Sequence, residues 1–578
     1  MCSEVADLIQ KYALLNAVRH KGKAQVQPVV GRVFSEHEEL RSHVDEITEQ
    51  VRKIVEKVNL LSSSEQRKIL EESWPELLET GRVEQVDKGL PPLPNVEKYN
   101  RIVTRFSPNP DCVLHLGSAR AVILSHDYAE KYEGSFLLRF EDTDPKGKSP
   151  MLEFYAAIRE DLSWLECDPD GEFIQSSRLP IYYDFARKLL SLGHAYICEC
   201  PPEDFRARVT GEEPCPCRGG SIELNLKRWE KMLDKGYVEG EAVVRIKTDL
   251  NHPNPAVRDW PALRIINTER YPHPLTGDEY YVWPLYNFAC GIDDHLLKVT
   301  HIIRGKEHLT NEVRQRYLYE HLGWEYPEAI HYGRLRVIGS VLSKSKILAG
   351  VNSGVYEGWD DPRLATLVAL KRRGITAQAI RQMIYEVGPN PVDATLSWKT
   401  LYAHNRRLVD GLANRYFFVS NPLEMNISGI PRNYLVEIPL HPDHKERGKR
   451  VIEVIPQGGR HKIHVSASDL RHLRKGRIVR LIGLFNVKID RVNDTIDAVF
   501  IDESYEEARR IGVQFIHWIP DRDGVETTVL MPDNSIVTGL SEKDVRNLNP
   551  HQIVQFERFG FVFVDTIDET LGVRFGHT

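Results

Sequence analysis

Arg105-Phe106-Ser107-Pro108-Asn109-Pro110-Asp111-Cys112-Val113-Leu114-His115-Leu116-Gly117-Ser118-Ala119-Arg120 is the stretch from which the fold can be read. The apolar run Ile102 to Phe106, interrupted by Thr104 and Arg105, predicts a short buried strand. Two prolines stop it. His115-Leu116-Gly117-Ser118 then opens a helix running through Ala119, Ala121, Val122 and Ile123. A strand, a tight loop and a helix start form an anion site, because the first N–H groups are free and the positive dipole end faces the ligand. Gly117 removes a side chain where a base or phosphate must come close. His115 can donate a hydrogen bond to a phosphate oxygen. A His-x-Gly at a helix start is more often structural than not, so the reading needs a second element.

That element is Val341-Leu342-Ser343-Lys344-Ser345-Lys346, after the strand-like run Leu335 to Ile338. A mobile lysine is what a transferring phosphate needs for charge stabilisation. By itself the segment also reads as a solvated loop.

From Arg101 strands and helices alternate. Ser135 to Phe140 predicts a strand; Leu152 to Leu165 and Ile181 to Leu192 predict helices. The pattern argues for a parallel sheet with helices on both faces and ligands at the carboxyl ends of its strands. Glu141 falls at such an end, as a loop carboxylate, a cap or a holder of a substrate ammonium. Val299 to Ile303 predicts a further strand, with Arg304 at its carboxyl end.

Length and composition bound the rest. A chain of 578 residues suggests about four domains. The net charge of −7 does not advertise nucleic-acid binding, although only a local face need be basic. Eight cysteines at this length do not make a secreted disulfide framework. Met1-Cys2-Ser3-Glu4 lacks the basic start of a signal peptide, and no apolar run is long enough to span a membrane. The cytoplasm is therefore expected. Cys198-x-Cys200 and Cys215-x-Cys217 put four thiols within twenty residues, a set suited to a tetrahedral, structural Zn²⁺.

At the amino end, Val44, Ile47, Val51, Ile54, Val55 and Val58 share one helical face, and Ser62-Ser63-Ser64-Glu65 is a cap signal. Residues 1–99 read as a helical extension, either a packing appendage or a partner- or tRNA-touching module. Pro91-Pro92-Leu93-Pro94 closes it as a stiff linker. At the other end, short alternating runs such as Leu435 to Ile438, Val451 to Ile455, Ile478 to Ile482 and Phe561 to Val564 have the texture of β-barrels. Residues 400–480 hold 15 Lys/Arg against 7 Asp/Glu, an excess that suits a phosphate backbone. Phe515, Trp518 and Phe559 could stack on splayed bases or pack in a core.

The two opening motifs, in this order and spacing, resemble the paired HIGH and KMSKS signatures of class I aminoacyl-tRNA synthetases. Leu138-Arg139-Phe140-Glu141-Asp142-Thr143-Asp144-Pro145 resembles the hallmark of the glutamyl/glutaminyl group. So do Tyr286-Asn287-Phe288-Ala289-Cys290, Asp293-Asp294-His295 and Thr300-His301-Ile302-Ile303-Arg304-Gly305. Two departures stand out: Ser118 replaces the second histidine of the first signature, and Val341-Leu342 replaces Lys-Met in the second.

The chain thus resembles a glutamyl-tRNA synthetase of the archaeal type, one with a β-barrel anticodon region. The resemblance implies an α/β and β multidomain protein: a helical extension (1–99), a Rossmann-like catalytic domain (100–195 and 285–346), an acceptor-end-binding insertion with the zinc site (196–284), a helical stem-contact subdomain (347–408) and an anticodon-binding β-barrel region (409–578). It implies that ATP and Mg²⁺ are used, with His115, Gly117, Ser118, Ser343 and Lys344 at the phosphates and Arg334 and Leu335 at adenine; the catalytic set is His115, Gly117 and Lys344. It implies that Arg105, Ser107, Glu141, Tyr286, Cys290 and Arg304 hold L-glutamate. Arg258-Asp259-Trp260 and Arg264 lie where the family binds the acceptor end. The implied partner is tRNA, at its acceptor end and anticodon, with a monomeric enzyme, no membrane, and bound tRNA needed for glutamate activation. A glutaminyl enzyme, a small-molecule nucleotidylyltransferase and an inactive tRNA-binding paralogue are the alternatives. The residue at 304 speaks against the first, the long β region against the second, and the presence of His115, Glu141 and Lys344 against the third.

Overall fold

A computed structural model describes residues 2–19, 22–36, 44–74 and 89–578. The chain divides into two compact units, Met1–Gly89 and Leu90–Thr578. The first is helical: α1 (Cys2–Arg19), α2 (Val26–Glu36), α3 (Val44–Asn59) and α4 (Ser63–Ser73). Ile47, Val51, Val55 and Val58 are buried, as the three- and four-residue spacing requires, while Val44 at the helix start is exposed. Ser62 and Glu65 form a capping box at α4. The helical expectation for 75–88 lies outside the described residues.

In the second unit, β1 (Val103–Phe106) leads through the proline loop into α5 (Leu116–Lys131) and then β2 (Ser135–Phe140). β1 pairs parallel with β2, and β2 with β3 (Gly171–Ile174). A right-handed crossover suits this spacing, because a parallel neighbour needs a helix-length return. Helix α6 (Leu152–Trp164) precedes β3, and α7 (Leu179–Ser191) follows it.

The chain then leaves for an antiparallel sheet, β4 (Ala195–Cys198), β5 (Val243–Ile246), β6 (Pro261–Ile265) and β7 (Val282–Pro284), paired in that order. Helices α8 (Pro202–Thr210) and α9 (Ile222–Leu233) lie between β4 and β5. Trp229, Trp260 and Trp283 are buried in the associated core.

The parallel fold resumes with α10 (Tyr286–Leu296) and β8 (His301–Gly305), which pairs parallel with β9 (Glu328–Tyr332) across α11 (Leu309–Leu322). Thr300 joins the two halves: its N–H donates to Val103 O at 2.9 Å and its hydroxyl accepts from Val103 N at 2.8 Å. Two parallel ladders, β1-β2-β3 and β8-β9, thus stand side by side with β1 next to β8, and the strand order runs in opposite senses on the two sides of that seam. Ligands bind at such a switch point, beyond the carboxyl ends of the strands.

The short strand β10 (Leu335–Val337) precedes α12 (Lys344–Asn352) and pairs with Ala394–Leu396. Helices at Leu367–Arg372, Ala377–Val387 and Trp398–Val409 follow α12. Beyond them lie two seven-stranded sheets, each with its own apolar core. One uses strands from 415–420 and 525–577; the other uses strands from 422–520 alone and is thus inserted into the first. Neither ladder closes on itself, so these are curled half-barrels rather than closed barrels.

Two sets of residues stand elsewhere than expected. Trp518 is fully buried, its indole N–H donating to Ile482 O at 2.9 Å, and Phe559 packs edge-on against Phe418 and Phe575. Trp518 is a core residue, because large apolar surface gains most by burial; Phe559 packs against the core and, like Phe515, remains partly accessible. In the insertion, Arg258 is buried against the carbonyls of His252 and Val209, and Asp259 is fully buried, holding Tyr196 and Arg218. With Trp260 they build the insertion from inside. Arg264 is part-exposed and pairs with Asp144 at 2.7 Å.

Candidate active site

A cavity of about 340 Å³ opens at the switch point, between the carboxyl ends of β1 and β8 and the start of α5. Arg105, Ser107, His115, Gly117, Ser118, Glu141, Tyr286, Arg304 and Lys344 all line it. The motif residues, nearly 240 positions apart at their extremes, thus converge on one space. Cys290, Arg334, Leu335 and Ser343 are not part of its wall.

At the helix start, His115 is the N-cap of α5, and its Nδ1 accepts from Ser118 N at 3.2 Å. That bond leaves the ring proton on Nε2, available to a phosphate oxygen. Burial lowers the His115 pKa, which keeps the ring neutral. A Cβ on Gly117 would lie 2.8 Å from His115 Cε1 and 3.0 Å from Nδ1. The glycine therefore makes room for the capping imidazole itself. The helix end is less open than the sequence implies. Leu116 N donates to Ala365 O, and Ser118 N and Ala119 N to His115 O, so in the first turn Gly117 N–H alone lacks an acceptor among the described residues.

Lys344 begins α12 and rests against Asp111 on the cavity wall. Burial pulls the ammonium down to about 8, while the adjacent carboxylate favours the charged form, so the lysine is a cation at neutral pH.

The other side of the cavity is a network of guanidinium groups. Asp294, fully buried on α10, accepts from Arg105 Nε and Nη2 at 3.2 and 3.3 Å and from Arg139 Nη1 at 2.6 Å. Burial raises its pKa, but the two arginines outweigh that and hold it at about 2. Arg139 Nη2 also reaches Glu141 Oε1 at 3.1 Å, and Cys290 donates to the same oxygen at 2.9 Å. Cys290 thus stands behind Glu141 and orients it. Its neighbour Asp293 is held by Tyr182, Arg178 and Gln175. Ser107 Oγ is buried without a protein partner.

Arg304 differs from its neighbours. It is buried, and among the described residues no carboxylate lies within ion-pair distance of it. Its Nε donates to His331 Nε2 at 3.3 Å, Nη1 to Gln315 Oε1 at 3.2 Å and Nη2 to the Tyr326 hydroxyl at 3.0 Å. All three acceptors are neutral. Of the five N–H donors, one on each terminal nitrogen is left over, a fork that fits a carboxylate.

Away from the cavity, Cys198, Cys200, Cys215 and Cys217 bring their sulfurs within 4.8 Å of one another. Sγ separations are 3.5 Å for Cys198–Cys215, 3.2 Å for Cys200–Cys215 and 3.8 Å for Cys200–Cys217, and no disulfide joins them. The donor set fits a thiophilic ion in a closed, four-ligand site.

Sequence reasoning did not assign roles to Asp111, Arg139, Asp294 or His308. Charged residues inside otherwise apolar strand and helix patterns (Arg139 in β2, Asp293-Asp294 in α10) were the available signal for two of them.

Residues 101–410 match the family model described as tRNA synthetases class I (E and Q), catalytic domain. Residues 413–504 and 515–565 match the two anticodon-binding domain models of the same group. A glutamate–tRNA ligase of Pyrococcus furiosus is 53% identical over 98% of this chain and 98% of its own length. That of Pyrococcus abyssi is 53% identical over the same shares, and that of Methanopyrus kandleri 44% identical over 99% and 98%. The chain belongs to the class I (E and Q) tRNA synthetases and, within them, to the archaeal glutamate–tRNA ligases.

Proposed function

We propose that the protein activates L-glutamate with ATP and transfers it to the 3′-terminal adenosine of tRNA(Glu). The observation that carries this is Arg304, a buried cation without an anion among the described residues, in the same cavity as His115, Gly117 and Lys344. An unpaired buried charge is unfavourable unless a ligand completes it. Of the two relevant amino acids, only glutamate brings the second carboxylate that would.

Glutamate binds with its γ-carboxylate on the Arg304 fork and its ammonium toward Glu141, whose Oε1 is already oriented by Arg139 and Cys290. Arg105, Ser107 and Tyr286 complete the pocket. The α-carboxylate attacks the α-phosphate of ATP, and pyrophosphate leaves. His115 Nε2–H, Gly117 N–H and Lys344 stabilise the charge gathering on the phosphates, with Ser118 and Ser343 beside them. Mg²⁺ bound with ATP neutralises part of that charge. Arg334 and Leu335, which precede the Lys344 segment, take the adenine. The 2′-hydroxyl of the terminal adenosine then attacks the carbonyl carbon of the mixed anhydride; the hydroxyl loses its proton, the ester forms and AMP leaves. No covalent enzyme intermediate is needed, so positioning and charge stabilisation supply the rate.

The four cysteines hold one structural Zn²⁺ in the acceptor-end-binding insertion, and the two half-barrels read the anticodon. The same reading has the enzyme working as a cytoplasmic monomer; no described helix is long and apolar enough to cross a membrane. ATP–pyrophosphate exchange with glutamate, run with and without tRNA, tests the activity. Exchange and glutamylation of tRNA(Glu) support it; tRNA binding without either would make the chain an inactive paralogue. Parallel charging of tRNA(Gln) tells whether the enzyme serves that substrate too.

A further inference from the structure

One side chain of the cavity wall has no role in this chemistry. His308 follows β8, four residues after Arg304, and lines the same cavity. Its Nδ1 lies 3.2 Å from the Tyr286 hydroxyl and 3.1 Å from Asn311 Nδ2. An amide nitrogen has donors only, so Nδ1 must be the acceptor. Burial and the nearby guanidinium of Arg304, then that of Arg105, drive the His308 pKa down to about 3. The ring is therefore neutral and its one proton is on Nε2. Among the described residues no group accepts from Nε2, which is not a buried unpartnered atom, and the ring borders the cavity.

We propose that His308 is a specificity-determining residue, a fixed neutral N–H donor that works with Arg304 to select a glutamate side chain over a glutamine one. This rests on the cavity being the amino-acid site. A γ-carboxylate has acceptors on both oxygens and satisfies the Arg304 fork and Nε2–H together. The amide of glutamine has the same shape but only one acceptor atom. Its –NH₂ meets either the guanidinium or Nε2–H, and two donors face each other. An unengaged histidine could change tautomer and offer a lone pair. Here Tyr286 and Asn311 both hold Nδ1 as acceptor, so that escape is closed.

The test compares His308→Gln, His308→Ala and Arg304→Cys, measuring KM for glutamate, KM for ATP and inhibition by glutamine in the tRNA-charging assay. A glutamine at 308 can present either N–H or C=O. It should keep KM for glutamate within about threefold while tightening glutamine inhibition by about tenfold. His308→Ala should raise KM for glutamate by about tenfold, with KM for ATP unchanged in both. Wild-type glutamine inhibition in His308→Gln, or parallel loss for glutamate and ATP in both variants, would overturn the proposal. If Arg304→Cys keeps its glutamate affinity, the amino-acid pocket itself is misassigned. If Arg304→Cys loses it while both His308 variants discriminate normally, only the role of His308 falls.

Discussion

Arg105 and Arg304 stand at the carboxyl ends of β1 and β8, and each is 5% exposed. What neutralises them differs. Arg105 shares Asp294 with Arg139, and its charge is spent inside the protein. Among the described residues Arg304 has only a histidine, a glutamine and a tyrosine. Burying a guanidinium is unfavourable in both places, but only the first is balanced without a ligand. The first arrangement is scaffold; the second is the one we propose to bind the glutamate side chain. Burial and residue type do not separate them; the partner list does.

Removing the scaffold's carboxylate should give the largest effect. Asp294→Ala leaves Arg105 buried without its anion and Arg139 with Glu141 alone, and should destabilise the unit by about 3–5 kcal/mol, read from denaturant unfolding. If stability stays near wild type, the balanced half of the comparison is wrong. The same pair makes an acid limb: because the Asp294 pKa in the folded state lies below its ordinary value, at about 2, its stabilising contribution is present above the ordinary carboxylate range and is lost as pH falls through that range toward 2.

Lys344→Ala should come next. It should reduce adenylate formation by about 10²–10³ while tRNA affinity stays nearly unchanged, since a group that meets the transition state contributes little to the ground state. Equal losses in pyrophosphate exchange and in a filter-binding assay would contradict this. The pH profile sharpens the point. With burial setting the Lys344 pKa near 8, deprotonation above that value removes the cation, so kcat/KM for ATP should fall on the alkaline side. The linked stability moves the opposite way: between about 8 and the ordinary lysine value the unfolded chain binds the proton more tightly, so stability rises with pH in that window. Lys344→Arg should shift the activity limb out of range.

A smaller effect is expected at the cysteine cluster. Metal analysis should find one zinc per chain, and Cys198→Ser with Cys215→Ser should lose it. Charging should drop by about tenfold through misplaced tRNA, with KM for ATP unchanged. A metal-free preparation that charges fully would show the thiols to be packing only.

Much of this was legible in the sequence because it is local. The strand–loop–helix at 103–131, the spacing of Ile47, Val51, Val55 and Val58, and the cysteine pairs each carry their own geometry. What stayed hidden was partner choice across long separations. Asp294 meets Arg105 over 189 residues, and Arg258 meets the Val209 carbonyl over 49. No local pattern says whether a charged residue's complement lies in the protein or in a ligand. Nor could the sequence show that Gly117 accommodates the His115 ring, or that one half-barrel is inserted in the other.

The most direct test is therefore Arg304→Cys, with glutamate KM and thermal unfolding measured on the same preparation. An open site predicts that KM for glutamate rises by roughly a thousandfold, about 4 kcal/mol, while KM for ATP holds and the unfolding temperature is unchanged or higher, because a buried unpaired charge has been removed. Wild-type glutamate affinity, or a loss of stability like that of Asp294→Ala, would show that the charge of Arg304 is balanced within the protein after all.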